Sequence, residues 1–139
     1  MIKLVIYGNP VAQGRPKFST ANGFVRAYDP AKSRDYKTYL RILAFDEMKD
    51  RHLFDGPLSL SIRIFRNTPK GFSKKKRELA EHGEIRPVTK PDVSNYIKGI
   101  EDALNGIVWK DDGQVVAYKE PFGKYYSSTP RIEIEVGEL

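Results

Sequence analysis

Residues 90–116, KPDVSNYIKGIEDALNGIVWKDDGQVV, combine an apolar periodicity with acidic residues at both ends. Tyr96, Ile97, Ile100, Ala103 and Leu104 recur at steps of three and four, which predicts an amphipathic helix from Ser94 to Asn105. Gly106 suits the position just past a helix end. Ile107, Val108 and Trp109 read as a short strand entering a turn at Lys110, Asp111, Asp112 and Gly113. The helix rises roughly 17 Å at about 1.5 Å per residue. An extended return from Gly106 to Asp112 covers roughly 20 Å at about 3.3 Å per residue, so Asp111 and Asp112 are expected to arrive near Asp92. Uncompensated carboxylates that close raise one another's pKa, and the cluster therefore predicts a bound hard cation, Mg²⁺ with Mn²⁺ as an alternative.

Outward from this stretch, 139 residues suffice for one domain with a genuine core, and a hydrophobic share of 40% with 30% charged residues suits a folded globular chain. The absence of cysteine excludes disulfides, a thiolate nucleophile and cysteine zinc sites, and favours a cytoplasmic setting. No apolar run approaches the ~20 residues of a membrane span, and MIKLVIYGNP at the start reads as a strand rather than a signal peptide. Lys and Arg number 24 against 18 Asp and Glu, a net charge of +6 with a pI near 9.5. That excess favours a polyanionic partner, because neutralised phosphates release counterions.

Along the chain, Ile2 to Tyr7 reads as a strand ended by Gly8, Asn9 and Pro10. In Gln13 to Phe18, Gly14 allows close approach of a ligand, and Arg15 and Lys17 can share one side of an extended arm. The readings of this arm are a solvated loop or a phosphate contact. Asn22 and Gly23 predict the turn of a hairpin over residues 17–28, which also carries Arg26. Asp29 as N-cap and Pro30 at the first helical position open a helix whose core stripe is Tyr36, Leu40, Leu43, Ala44 and Met48. Lys32, Arg34, Lys37 and Arg41 on its other faces read as solubilising charge or a continued basic surface. Leu58, Leu60, Ile62 and Ile64 alternate with Ser59, Ser61, Arg63 and Phe65, the clearest strand in the sequence. Ser73 caps a short helix with Lys74 to Arg77, whose charges point all around the axis and cannot grip one ligand. Gln114 to Tyr118 and Arg131 to Val136 read as strands, joined by a polar, aromatic connection with Lys119, Lys124, Tyr125 and Tyr126. His52 and His82 stand in no motif, and no Walker A, dinucleotide fingerprint or zinc spacing appears. The fold class is α/β (α+β), a mixed sheet with helices packed on it.

Lys90, Pro91, Asp92, Val93, Ser94, Asn95, then Lys98, then Asp102 to Gly106, then Trp109 to Val115 resemble the RusA-type Holliday junction resolvases. Gly8, Pro10 and Gly14 to Phe18 resemble N-terminal segments of that family's phage and Gram-positive branch. The resemblance spans most of the chain and is weakest at residues 53–87. It implies a homodimeric, metal-dependent endonuclease that cuts four-way DNA junctions in recombination and repair. It places the family's aspartates on Asp92 and Asp112, with Asp111 beside the latter, and its essential lysine on Lys98. The chain departs from the pattern at Ser94, where the family carries a second acid; a serine is a neutral ligand at best.

With that resemblance, Asp92, Asp112, Asp111 and Ser94 are the expected metal donors, and Asp92, Asp112 and Lys98 the catalytic set. Lys98 is placed to hold the phosphate or stabilise transition-state charge. Arg15, Lys17, Arg26, Lys90 and Lys110 are the expected DNA contacts, and a C₂ dimer would present two equivalent sites to a junction. Each residue also has a plain structural reading. Asp92 can cap the helix, Lys98 can pair with Asp102, and Asp111 to Gly113 can be a simple turn. Ser94 also leaves open a junction-binding protein with weakened catalysis.

Overall fold

In order, the chain forms β1 (Ile2–Tyr7), β2 (Lys17–Ser19), β3 (Arg26–Tyr28), α1 (Ala31–Met48), β4 (Leu58–Asn67), α2 (Lys74–Glu81), α3 (Val93–Leu104), β5 (Val115–Tyr118), β6 (Gly123–Ser127) and β7 (Arg131–Glu138). This computed structural model describes residues 1–15, 17–20, 23–28 and 30–139, and the backbone alone of Arg26 and Tyr28. Pro16, the expected turn residue Asn22, the expected cap Asp29 and the side chain of Arg26 lie outside the described residues.

The alternating run is the central strand β4, whose Leu58, Leu60, Ile62 and Ile64 face the core with 0% exposure. β7 pairs antiparallel on one side, setting Leu60 opposite Val136 and Ile62 opposite Ile134, and β1 pairs antiparallel outside β7. The other side of β4 carries two parallel strands in succession, β5 along its first half and β6 along its second. The sheet is therefore mixed, as expected. α1 and α3 pack against each other, and α1 against β1. Leu40, Ala44 and Met48 join Tyr96, Ile97, Ile100, Ala103 and Leu104 and the inward side chains of β1, β4 and β7 in one core. The alternate residues of these strands face away, since side chains alternate across a sheet. There Lys3 pairs with Glu135 at 3.5 Å, and Glu133 with both Arg63 and Arg131.

Several expectations are corrected. α1 begins at Ala31, so Pro30 is its N-cap rather than its first helical residue. Lys37 is no solvated charge: it is 9% exposed, and its Nζ donates to Asp102 Oδ2 at 2.7 Å, tying α1 to α3. The aromatic connection contains a strand, β6, whose Tyr125 stacks on Phe65 of β4 at 5.5 Å beneath the Arg86 guanidinium. Ile107 to Trp109 is not a strand. Ile107 N and Val108 N both bond Leu104 O at 3.0 Å, and Gly106 N bonds Trp109 O at 2.8 Å, so the chain coils tightly past the end of α3. The hairpin over residues 17–28 is present as the β2–β3 pair, Lys17 opposite Tyr28. α2 begins on Ser73, whose hydroxyl accepts Lys76 N at 3.2 Å. Among the described residues no helix is long and apolar enough to cross a membrane.

Candidate active site

The site grows from the end of α3. The coil at residues 106–109 buries Val108 and Trp109 completely. The indole N–H of Trp109 donates to Asp112 Oδ1 at 3.0 Å, so a core side chain sets the position of this carboxylate. Asp111 turns back on its own loop: its Oδ2 accepts Gly113 N at 3.0 Å, as N-cap of a 3₁₀ turn over Asp112–Gln114. Gln114 clamps the loop from both ends of its amide. Its Oε1 accepts Lys110 N and Asp111 N, each at 2.9 Å, and its Nε2 donates to Phe54 O at 2.8 Å and Gly56 O at 3.1 Å. Gln114 is a positioning residue that periodicity could not reveal, because the carbonyl that its Nε2 holds at Phe54 lies 60 positions away. Gln114→Ala is expected to destabilise by about 1–3 kcal/mol in urea unfolding, since part-buried carbonyls lose their donor.

α3 presents Ser94, Lys98 and Glu101 along one face, at spacings of four and three. These residues, with Val93, Ile97 and Asp102, form one wall of an open cleft of about 700 Å³. Asp112, Tyr118 and Phe122 also line it, as do Gln13, Gly14 and Lys37. The Tyr118 and Phe122 rings stack at 4.8 Å. Asp102 is taken by Lys37, and among the described residues no ion pair holds the Lys98 ammonium. Sequence reasoning missed Glu101 and Tyr118, which the fold brings together: the Tyr118 hydroxyl donates to Glu101 Oε2 at 2.8 Å. Burial raises the Glu101 carboxyl above its ordinary value, and Asp112 adds to this while the Tyr118 bond opposes it. The Tyr118 phenol is pushed up to about 12, chiefly by burial and then by Glu101.

Asp92 is not among the residues that line this cleft. It precedes Val93 at the start of α3 but makes no side-chain cap bond. Both its oxygens face Lys90 Nζ, at 2.8 and 2.9 Å, and that hydrogen bond holds its carboxyl below the ordinary carboxylate value. Lys124 stands near; its Nζ donates to Thr89 O at 2.9 Å and Pro91 O at 3.1 Å. Asp92, Asp111 and Asp112 do not form the expected three-carboxylate cluster. Among the described residues no three acidic or histidine side chains form a group able to hold a metal by themselves. Past the coil at residues 106–109, Asp112 reaches the cleft that Ser94, Lys98 and Glu101 line from α3.

A second cleft, of about 710 Å³, is lined by Arg15, Lys32, Arg66 and Lys90 together with Asn9, Asn95 and Tyr96. Arg15 and Lys90 were expected contacts; Lys32 and Arg66 join them from α1 and β4. Lys17 is exposed on β2 and Lys110 on the loop after Trp109, both outside this cleft. Gln13 and Gly14 line both clefts, so the basic and acidic grooves meet there. A Cβ at Gly14 would stand 2.8 Å from Pro30 Cγ, so this glycine serves the close approach of its own chain to α1. Gln13 N also donates to Asn95 O at 3.1 Å, fastening the segment to α3.

The family model of the endodeoxyribonuclease RusA matches residues 7–137. The chain belongs to this family of endodeoxyribonucleases. It is also similar to the Bacillus subtilis (strain 168) protein described as "Uncharacterized protein YqaN", with 47% identity over 140 residues, covering 99% of this chain and 96% of that protein. The family implies a divalent metal, and the donor chemistry of the cleft fits one. Mg²⁺ commonly takes one or two carboxylates and keeps water or substrate phosphate for the rest. Asp112 and Glu101 offer hard oxygens on one cleft wall, and Ser94 a hydroxyl.

Proposed function

We propose that this chain is a metal-dependent endonuclease that resolves four-way DNA junctions as a homodimer. The observation that carries the reading is the convergence of Ser94, Lys98 and Asp112 on a single cleft continuous with a basic groove. Asp112 is the principal donor to the metal, Ser94 a neutral donor, and Asp92 a further carboxylate at the head of α3. Asp111 contributes by shaping the loop. The ion, Mg²⁺ or Mn²⁺, supplies charge neutralisation and an activated water at the scissile phosphate. Lys98, without an ionic partner among the described residues, holds a phosphate oxygen and stabilises its developing charge. Arg15, Lys32, Arg66 and Lys90 track the backbone of one arm, positioning it without reading bases. Lys17, Arg26 and Lys110 extend that contact. Two such sites in a C₂ dimer meet the two-fold symmetry of a junction.

The test is cleavage of a synthetic four-way junction and a matched linear duplex, with and without Mg²⁺. The expected result is metal-dependent cutting of the junction in preference to the duplex, lost in Lys98→Ala. Binding to the junction with cutting gained only in Ser94→Asp would replace the proposal with a junction-binding protein of weakened catalysis. Equal weak binding to both DNAs and no cutting by any variant would overturn it.

A further inference from the structure

We infer that Glu101 is a metal-ligating carboxylate of this site, paired with Asp112 and oriented by the hydroxyl of Tyr118. The inference rests on the metal-dependent reading above and assigns a ligand which that reading does not contain. Ser94 leaves the α3 wall one carboxylate short of the family's pattern. On that same wall, seven residues further along, Glu101 faces the cleft. Asp112 is anchored there by the Trp109 indole, and Glu101 is fixed by Tyr118 at 2.8 Å. Each carboxylate thus has one oxygen engaged by a neutral donor. Among the described residues no ion pair holds either of them in the way Lys37 holds Asp102 and Lys90 holds Asp92. Two acids that line one cleft, each hydrogen-bonded by a neutral donor, are complementary to a hard divalent ion. Tyr118 acts as a positioning residue, of the kind that orients a ligand from behind.

The experiment measures Mn²⁺ binding by electron paramagnetic resonance and by the Mn²⁺-induced rise in melting temperature, for the full chain without DNA. Glu101→Gln keeps an acceptor for Tyr118 and removes the charge, and Tyr118→Phe keeps the charge and removes the bond. Glu101→Gln is expected to weaken Mn²⁺ at least about tenfold and to abolish the thermal rise, with Tyr118→Phe affected less. Parent-like Mn²⁺ affinity in Glu101→Gln, with affinity lost in Asp112→Asn, would overturn the assignment of Glu101 and leave the nuclease reading intact. Equal losses in Glu101→Gln and Tyr118→Phe would overturn it too, marking the pair as structural support. Parent-like affinity in Asp112→Asn would instead count against the metal site proposed for the enzyme. Circular dichroism of each variant ensures that the comparison is among folded proteins.

Discussion

Asp112→Asn is expected to lower junction cleavage by at least about a hundredfold while leaving junction affinity unchanged, the loss typical of removing one electrostatic stabiliser from a reacting centre. The substitution keeps the size of the side chain and an oxygen that accepts the Trp109 N–H, now at 3.0 Å, so the loop has no reason to move. What disappears is the negative charge facing the cleft. The groove proposed to hold DNA is lined by Arg15, Lys32, Arg66 and Lys90 and does not include Asp112. Single-turnover cleavage of a labelled four-way junction, beside a binding titration in Ca²⁺, separates the two effects. Combining Asp112→Asn with Lys98→Ala is expected to cost little more than either alone, because residues acting on one reacting group are not additive. Full activity in Asp112→Asn would place the chemistry elsewhere.

The largest effect on stability is expected at Trp109. Its ring is completely buried, and Trp109→Ala removes a volume whose loss destabilises by about 3–5 kcal/mol. Against the ~5–15 kcal/mol that holds a domain folded, this brings the chain close to its unfolding threshold. Trp109→Phe separates packing from function. It keeps most of the apolar contact but has no N–H for Asp112, so it is expected to stay folded and to cut poorly. Since Trp109 is the one tryptophan in the chain, urea unfolding is followed by circular dichroism rather than by intrinsic tryptophan fluorescence. Cleavage by Trp109→Phe at the parent rate would show that the indole bond does not set Asp112.

How far the sequence could be read depended on which interactions are local. β4 was legible because one of its faces is wholly core, and the alternation of Leu58, Leu60, Ile62 and Ile64 has no other economical interpretation. α3 was legible for the same reason, with Tyr96, Ile97, Ile100, Ala103 and Leu104 all buried. β6 was hidden because its Tyr125 packs against Phe65 and Arg86, making a paired strand resemble an exposed loop. Ile107 to Trp109 misled because a buried coil and a short strand share an apolar run, and only hydrogen bonding distinguishes them. Lys37 misled because its partner, Asp102, comes from another helix. Ser94, Lys98 and Asp112, to which spacing and motif bring attention, line one cleft. The company of Asp112 was not legible, because it depends on the exit angle of the chain after Leu104. Glu101 became visible only when β5 set Tyr118 against it.

The meeting of the two grooves at Gln13 and Gly14 gives this small protein a shared threshold. A strand lying in the basic groove and entering the acidic one must pass the same two residues, and neither groove can be widened there without altering the other. The threshold is stiff, since a backbone bond ties Gln13 to α3 and the contact with Pro30 leaves no room for a side chain at position 14. Grip and cut are therefore separable by substitutions confined to one groove, Arg66 in the basic one and Asp112 in the acidic one. At the threshold itself they are one mechanical property.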